Sequence, residues 1–226
     1  KITCSNKIIL TTEKDGVRLK KFENELKNIE GDKFKLQIEI IINSAENKIT
    51  IFDNAAGIHS NDFERALKTA EVPPINNGLS EFGMGMKSAA CWFTDNWSIT
   101  SKALGEQTQR SVFFDVKKIV ANKFEVLEVQ NFECELKEHF TVVELSQVHE
   151  LPQKKTIGKI KEHLKSIYRD FFRKGILDLY LNGELLDYKE PNVLFAPFYK
   201  EIDGSLILWK KDIPENFSLR EGLKIL

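Results

Sequence analysis

Two short segments hold the residues of this chain whose types and spacing could do chemistry: Ile51-Phe52-Asp53-Asn54-Ala55-Ala56-Gly57-Ile58 and Glu81-Phe82-Gly83-Met84-Gly85-Met86-Lys87-Ser88-Ala89-Ala90. In the first, Asp53 is followed by small residues that leave open space beside its carboxylate. A carboxylate so placed accepts a hydrogen bond from an exocyclic amine such as that of adenine, and Gly57 lets a flat ring approach the backbone. An ordinary turn is the alternative reading, because Asp-Asn and Gly punctuate many connections. In the second segment, glycines at a loop-to-helix junction let several backbone N–H groups turn toward one anion. The helix N-terminus adds partial positive charge there, and Lys87 a full one. Together the two segments make a layout for holding a nucleotide.

Spacing excludes two commoner phosphate motifs. A P-loop has Gly immediately before Lys-Ser, where this chain has Met86. A dinucleotide fingerprint has a third Gly where this chain has Ser88, and it follows a strand that is missing here.

The elements that must position these residues are legible in the hydrophobic pattern. Residues 34–43 and 48–53 read as two strands joined by a polar turn, with Asp53 closing the second. Ser60 reads as the N-cap of a helix ending near Ala70, with Asp62 and Glu64 in its first turn. A Pro- and Gly-punctuated loop occupies 71–82, and a second helix starts near Met84 and continues as a buried one through Ala89–Phe93. Strand-like runs follow at 97–102, 109–116, 124–129 and 140–145, then one basic helix over 154–174. After Gly175, residues 176–181 and 184–188 flank Asn182-Gly183 as a β-hairpin. Further strand-like pieces lie at 193–199 and 205–210. The order predicts a two-layer α/β sandwich, a mixed and mostly antiparallel sheet with helices on one face.

An aspartate in Asp-x-x-x-Gly-Ile at a strand end, then a helix, a loop, and Gly-x-Gly-x-Lys-Ser, resembles the GHKL ATPases: gyrase B, heat-shock chaperones, histidine kinases, MutL and MORC proteins. The Lys-Ser after the second glycine leans toward the MORC-like bacterial branch. The resemblance implies the Bergerat fold and an ATP site in which Asp53 binds adenine and Asn54, Gly57 and Ile58 line its slot. Gly83, Met84, Gly85, Met86, Lys87 and Ser88 would face the phosphates, and 71–82 would form an ATP lid. It also places a threonine on a later strand, joined to the aspartate through water, and Thr141 in His139-Phe140-Thr141-Val142-Val143 stands in that place. ATP with Mg²⁺ is the implied cofactor, and an ATP-dependent homodimer the implied assembly. Residues 1–175 would be the ATP-binding domain, and 176–226 a β-rich extension, the possible start of a transducer-like domain.

The chain departs from the family pattern at two points. Ala55 replaces the first glycine after the aspartate. The helix carrying the catalytic Glu and the Mg²⁺-holding Asn is not identifiable, since Glu25-Leu26-Lys27-Asn28 sets the pair three apart rather than four. The catalytic residues are therefore unknown from sequence. A fragment, a missing segment and a degenerate member all remain open explanations. A nucleotide-sensing module that does not hydrolyse ATP, and an interaction domain that keeps only the fold, stay open beside an ATPase.

Composition frames these readings. With 226 residues, 42% hydrophobic and 30% charged, the chain is long enough for one substantial core. It has no run of about 18 apolar residues and no signal-peptide pattern, so the expectation is a cytoplasmic protein without a membrane partner. Cys4, Cys91 and Cys134 show no paired spacing, and the four histidines no ligand spacing, so no metal site is assigned to protein ligands. A net charge of −1, from 33 basic and 34 acidic residues, gives no whole-domain attraction to nucleic acid. Locally, 154–174 holds eight Lys or Arg against Glu162 and Asp170. That is either a solvated helix face or a contact for phosphates, those of DNA or of ATP from a partner subunit.

Overall fold

The computed structural model describes residues 35–68, 84–124 and 126–190. Eight strands form one sheet: β1 Leu36–Asn43, β2 Lys48–Asp53, β3 Asn96–Lys102, β4 Thr108–Asp115, β5 Gln130–Glu133, β6 Phe140–Ser146, β7 Leu177–Leu181 and β8 Glu184–Leu186. Their spatial order is β5-β4-β3-β6-β2-β1-β7-β8. Every neighbouring pair is antiparallel except β1 with β7. Five described helices accompany the sheet: α1 Ser60–Leu67, α2 Gly85–Phe93, α3 Val116–Asn122, α4 Lys154–Ile167 and α5 Arg169–Arg173. This is the mixed, mostly antiparallel α/β architecture that the hydrophobic pattern predicts.

Period-two alternation sorts the strands into two faces. Ile40 and Ile42 of β1, Ile49 of β2, Trp97 and Ile99 of β3, Leu145 of β6 and Leu177, Leu179 and Leu181 of β7 form one buried face. The helices cover it with Phe63, Ala90, Ile160, Leu164 and Phe171, all in one apolar cluster. Each fully buried aliphatic side chain there is worth about 1.5–3 kcal/mol relative to exposure. The opposite face carries polar and exposed residues, including the Lys48–Glu144 ion pair and Phe113.

Several local boundaries differ from the sequence expectation. Ser60 is the first residue of α1, not its cap; His59 holds the N-cap position. The reason is tertiary, because the Ser60 N–H is satisfied by Glu106 Oε1 at 2.8 Å. Lys68 already leaves the helix with ψ 140°, earlier than the expected end near Ala70. The 109–116 strand ends at Asp115, whose side chain accepts the Lys118 N–H and starts the unexpected α3. The described residues of the 124–129 run form no strand; the fifth strand begins at Gln130 and pairs with β4. In α2 only part of the expected apolar run is covered, with Ala90 buried and Trp92 72% exposed.

The basic segment is two helices broken at Tyr168, which lets both Tyr168 and Phe171 reach the core, their rings edge to face at 6.0 Å. Lys161 pairs with Glu184, Lys165 with Glu162, and Arg169 and Arg173 with Asp170. That leaves Lys154, Lys155, Lys159 and Lys174 as the exposed remainder of the eight basic residues.

The hairpin grouped by sequence with the extension forms β7 and β8, and β7 runs beside β1 in the same sheet. Its turn, Asn182 at φ 51° and Gly183 at φ 75°, has the left-handed pair that two-residue hairpins favour. The compact unit runs to Tyr188, and residues 189–226 form a separate one. The expected strands at 193–199 and 205–210, the 71–82 loop, Gly83 and the Glu25–Asn28 segment lie outside the described residues. No described helix is long and apolar enough to cross a membrane.

Candidate functional site

On β2, Ile49, Ile51 and Asp53 point to the helix-covered face, so a carboxylate closes a series that is otherwise apolar. Directly across from Asp53 on β6 is Thr141, and across from Thr141 on β3 is Ser101. Three adjacent strands thus end their inward series on a polar residue at the same level, and together these form one row.

Burial pushes the Asp53 carboxyl up to about 6, against the opposing pull of the Ala55 N–H and the nearby His139. The Ala55 N–H reaches Asp53 Oδ1 at 3.0 Å. His139 Nδ1 lies 3.1 Å from the Ala55 carbonyl oxygen, so both side chains meet the backbone of one residue, Ala55. Asp53 has free acceptor capacity beyond this single bond, as recognition of an amine requires.

The chain after Asp53 is pressed onto the end of β3. The Ile58 N–H donates to Ser101 Oγ at 2.8 Å, and the Leu104 N–H to the Ala56 carbonyl at 2.9 Å. Gly57 has φ +70°, and a Cβ on it would stand 2.0 Å from the Lys102 carbonyl oxygen. Behind this turn, Lys102 is fully buried and donates its ammonium to the carbonyls of Ala103 and Glu106. Burial works to raise the Glu106 carboxyl, but the Ser60 N–H and the Arg110 guanidinium overcome it and hold it down at about 2.

Asn54 turns its side chain to β1, accepting from the Gln37 N–H at 2.7 Å and donating to the Lys35 carbonyl at 3.1 Å. Ile58 and Met86 pack against the apolar cluster.

In the second segment, Met84 holds the N-cap position of α2 with no side-chain cap. The Ser88 N–H already bonds the Met84 carbonyl, so the amides that precede Ser88 are the ones left without intrahelical partners. Gly85 has open space where a Cβ would be. Lys87 is buried, and its Nζ donates to the carbonyls of Ala66 and Lys68, 2.7 Å each, at the C-terminal end of α1. The lysine expected to serve an anion therefore also ties α2 to the helix that begins at the Gly57 turn. Replacing Lys87 with Met should destabilise the ligand-free protein by about 1–3 kcal/mol, since both carbonyls lose a charged donor. A urea denaturation midpoint equal to wild type would remove this role.

The structure brings Asp53, Gly57, Ile58 and Thr141 into one neighbourhood. Ser101, His139 and Glu106 belong to it as well, though sequence reading singled out none of them. For Ser101 a signal existed: Trp97, Ile99 and Ser101 break from apolar to polar as Ile49, Ile51 and Asp53 do. Among the described residues, no group of three His, Cys, Asp or Glu side chains could hold a metal ion.

A two-layer α/β domain with an acceptor row at the strand ends and a glycine-opened helix N-terminus defines a nucleotide-binding class of fold. A family model described as histidine kinase-, DNA gyrase B-, and HSP90-like ATPase matches residues 26–149, more than half of the chain. The chain belongs to this family. Its fold is similar to the ATPase and transducer domains of DNA topoisomerase II from Balamuthia mandrillaris, with a TM-score of 0.50 and 18% identity over 77% of this chain and 47% of that one. It is also similar to the ATPase region of Saccharomyces cerevisiae topoisomerase II, with a TM-score of 0.50 and 13% identity over 78% of this chain and 48% of that one. The chain thus spans about half the length of these solved structures. Comparison with curated proteins gives no match.

Proposed function

We propose that this domain binds ATP with the adenine against the row of Asp53, Thr141 and Ser101 and the phosphates at the N-terminus of α2, and that nucleotide occupancy switches it between open and closed states. The observation that carries this reading is the polar row itself, set beside a turn in which Gly57 leaves no room for any side chain. The donor set suits a purine: one carboxylate to accept from an exocyclic amine, hydroxyls to bridge through water, and a backbone slot for a flat ring.

In this reading Asp53 and Thr141 read the base, Gly57 and Ile58 line its slot, and Asn54 secures the turn to β1. Gly83, Met84, Gly85 and Met86 offer backbone N–H groups to the phosphates, with Ser88 beside them. Lys87 supplies positive charge from the base of the same helix turn. Mg²⁺ bound with the triphosphate would neutralise part of its charge. Closure follows only if ATP binds the closed state better than the open one, and contacts to the γ-phosphate supply that difference. Two copies meet in the closed state as an ATP-dependent dimer, and the part after Tyr188 acts as the extension that transmits the change. The MORC-like affinity rests on Lys87-Ser88 following the second glycine.

The spacing of Glu25 and Asn28 favours a second reading, in which ATP is bound and sensed but not cleaved. An ATPase assay on the bound complex separates the two, because turnover requires a residue that polarises the attacking water.

Calorimetric titration with ATP and ADP, with and without Mg²⁺, beside Asp53→Ala tests the proposal. The expected result is binding by wild type that vanishes in the variant, with ATP but not ADP shifting the sedimentation coefficient toward a dimer. Absence of ATP binding by wild type would overturn the base site, and sedimentation that ignores ATP would overturn the dimer switch.

A further inference from the structure

Ser101 is fully buried, and its hydroxyl stands at the junction of the two parts of the base site. It accepts the Ile58 N–H at 2.8 Å and lies 3.1 Å from Thr141 Oγ1 and 3.2 Å from the Phe140 carbonyl oxygen. A serine hydroxyl has one proton. If that proton goes to Phe140, Thr141 must donate its own to Ser101 and shows only lone pairs toward Asp53. If it goes to Thr141, the Thr141 proton is released toward the space beside Asp53. The same oxygen fixes how closely the Gly57-Ile58 turn sits to that threonine, because among the described residues it is the one partner of the Ile58 amide.

We propose that Ser101 is a positioning residue for purine recognition, acting through Thr141 by setting which way its hydroxyl points and through Ile58 by setting the depth of the base slot. This inference rests on the ATP-binding reading above. Asp53 stands directly across the strand pair from Thr141, and its ionised carboxylate is an acceptor only, so its charge favours the arrangement in which Ser101 donates to Thr141 and Thr141 turns its own proton toward the base edge. The hydroxyl pair then presents a fixed polarity to the base edge, and a base with the opposite donor and acceptor pattern meets lone pair against lone pair or proton against proton. Ser101 therefore contributes to choosing adenine over guanine without touching the base.

A double-mutant cycle read by calorimetry tests this in the full chain. Ser101→Ala should weaken ATP and ADP alike by about tenfold and narrow the preference for ATP over GTP by about tenfold, the loss typical of one buried hydrogen-bonding group. In a Thr141→Ala background the same change should weaken ATP by less than about threefold, because coupled neighbours are not additive. Glu106→Gln serves as the comparison: it loosens the far anchor of the turn at Ser60 without touching Thr141, so its effect should add fully to Thr141→Ala and leave the ATP to GTP ratio unchanged. Should Ser101→Ala fail to fold, Ser101→Cys keeps the volume and weakens the hydrogen bonds, and the same cycle is run with it.

A loss at Ser101 that persists undiminished without Thr141, or an unchanged purine ratio, would overturn the positioning role and reduce Ser101 to packing. Wild-type protein that binds no ATP would instead overturn the base site on which the inference rests. The two failures are thus told apart by the wild-type titration alone.

Discussion

Asp53→Asn should lose ATP binding by about 100-fold or more while making the ligand-free protein more stable at neutral pH, by up to about 3 kcal/mol. Both effects follow from one fact, that a carboxylate stands where the β2 alternation calls for an apolar group. Burial lifts its pKa from 3.8 to about 6, and a rise of that size at neutral pH measures the unfavourable free energy of keeping the charge in the fold. Asparagine keeps the shape and can still accept the Ala55 N–H, but it carries no charge. Its other arm then presents a donor, or an acceptor weaker than a carboxylate, to an exocyclic amine, and a mispaired buried polar contact is far more costly than a lost one. Isothermal titration and urea denaturation at pH 7.5 read the two effects on the same samples. A variant that is less stable than wild type and still binds ATP would refute both halves.

The same shift fixes the sign of the pH dependence. Asp53 has a folded-state pKa above its unfolded value, so the folded protein holds the proton more tightly than the unfolded chain does. The Asp53 contribution to stability is therefore most unfavourable above about 6 and is relieved as pH falls toward 3.8. The advantage of Asp53→Asn should shrink over that same window and vanish near its lower end. Recognition runs the other way, since an amine needs the ionised acceptor. Adenosine, which has no phosphate to titrate, should bind wild type more weakly as pH drops below 6, approaching tenfold per unit. An adenosine affinity that stays flat between pH 7.5 and 5 would mean that Asp53 does not accept from the base.

How much of this was legible in the sequence depended on how local the cause was. The ends of β2 and the start of α2 are written in alternation and glycine spacing, so Asp53 and Gly85 could be placed without coordinates. Thr141 could be placed only through the resemblance, and the register that sets it opposite Asp53 comes from pairing across 88 positions of chain. Ser101 was missed although the apolar series Trp97, Ile99 breaks to polar there, because the partners that give the break its meaning, Ile58 and Thr141, are remote in sequence. The Ser60 cap failed for a related reason: Glu106, from the loop after β3, takes the amide at that helix start. Lys87 is a different case: the residue expected to face an anion bonds the α1 carbonyls, an occupation that no local pattern could display. The hairpin at 177–186 was read correctly as a hairpin, but its parallel seat beside β1 is a long-range property.

Gly57→Ala should unfold the base site or the whole domain, with a destabilisation of about 3–5 kcal/mol and ATP binding lost beyond detection. Two penalties coincide at this residue. Its φ of +70° is one that side chains rarely adopt, and a Cβ would lie 2.0 Å from the Lys102 carbonyl oxygen and 2.9 Å from the Ala103 Cα. The obstacle is backbone, so no rotamer change relieves it. The strand end carrying Lys102 cannot retreat either, because Ser101 holds Ile58, Ala56 holds Leu104, and the Lys102 ammonium locks the following loop through Ala103 and Glu106. Gly105 offers a matched control: it too has a positive φ, +77°, but open space around its Cβ direction. Gly105→Ala should therefore show the conformational penalty alone, about 1 kcal/mol, with ATP affinity nearly unchanged. Chemical denaturation and calorimetry on the pair separate strain from collision. If both alanine variants lose the same stability, the close approach of Gly57 to β3 does not hold in solution, and the slot it defines loses its floor.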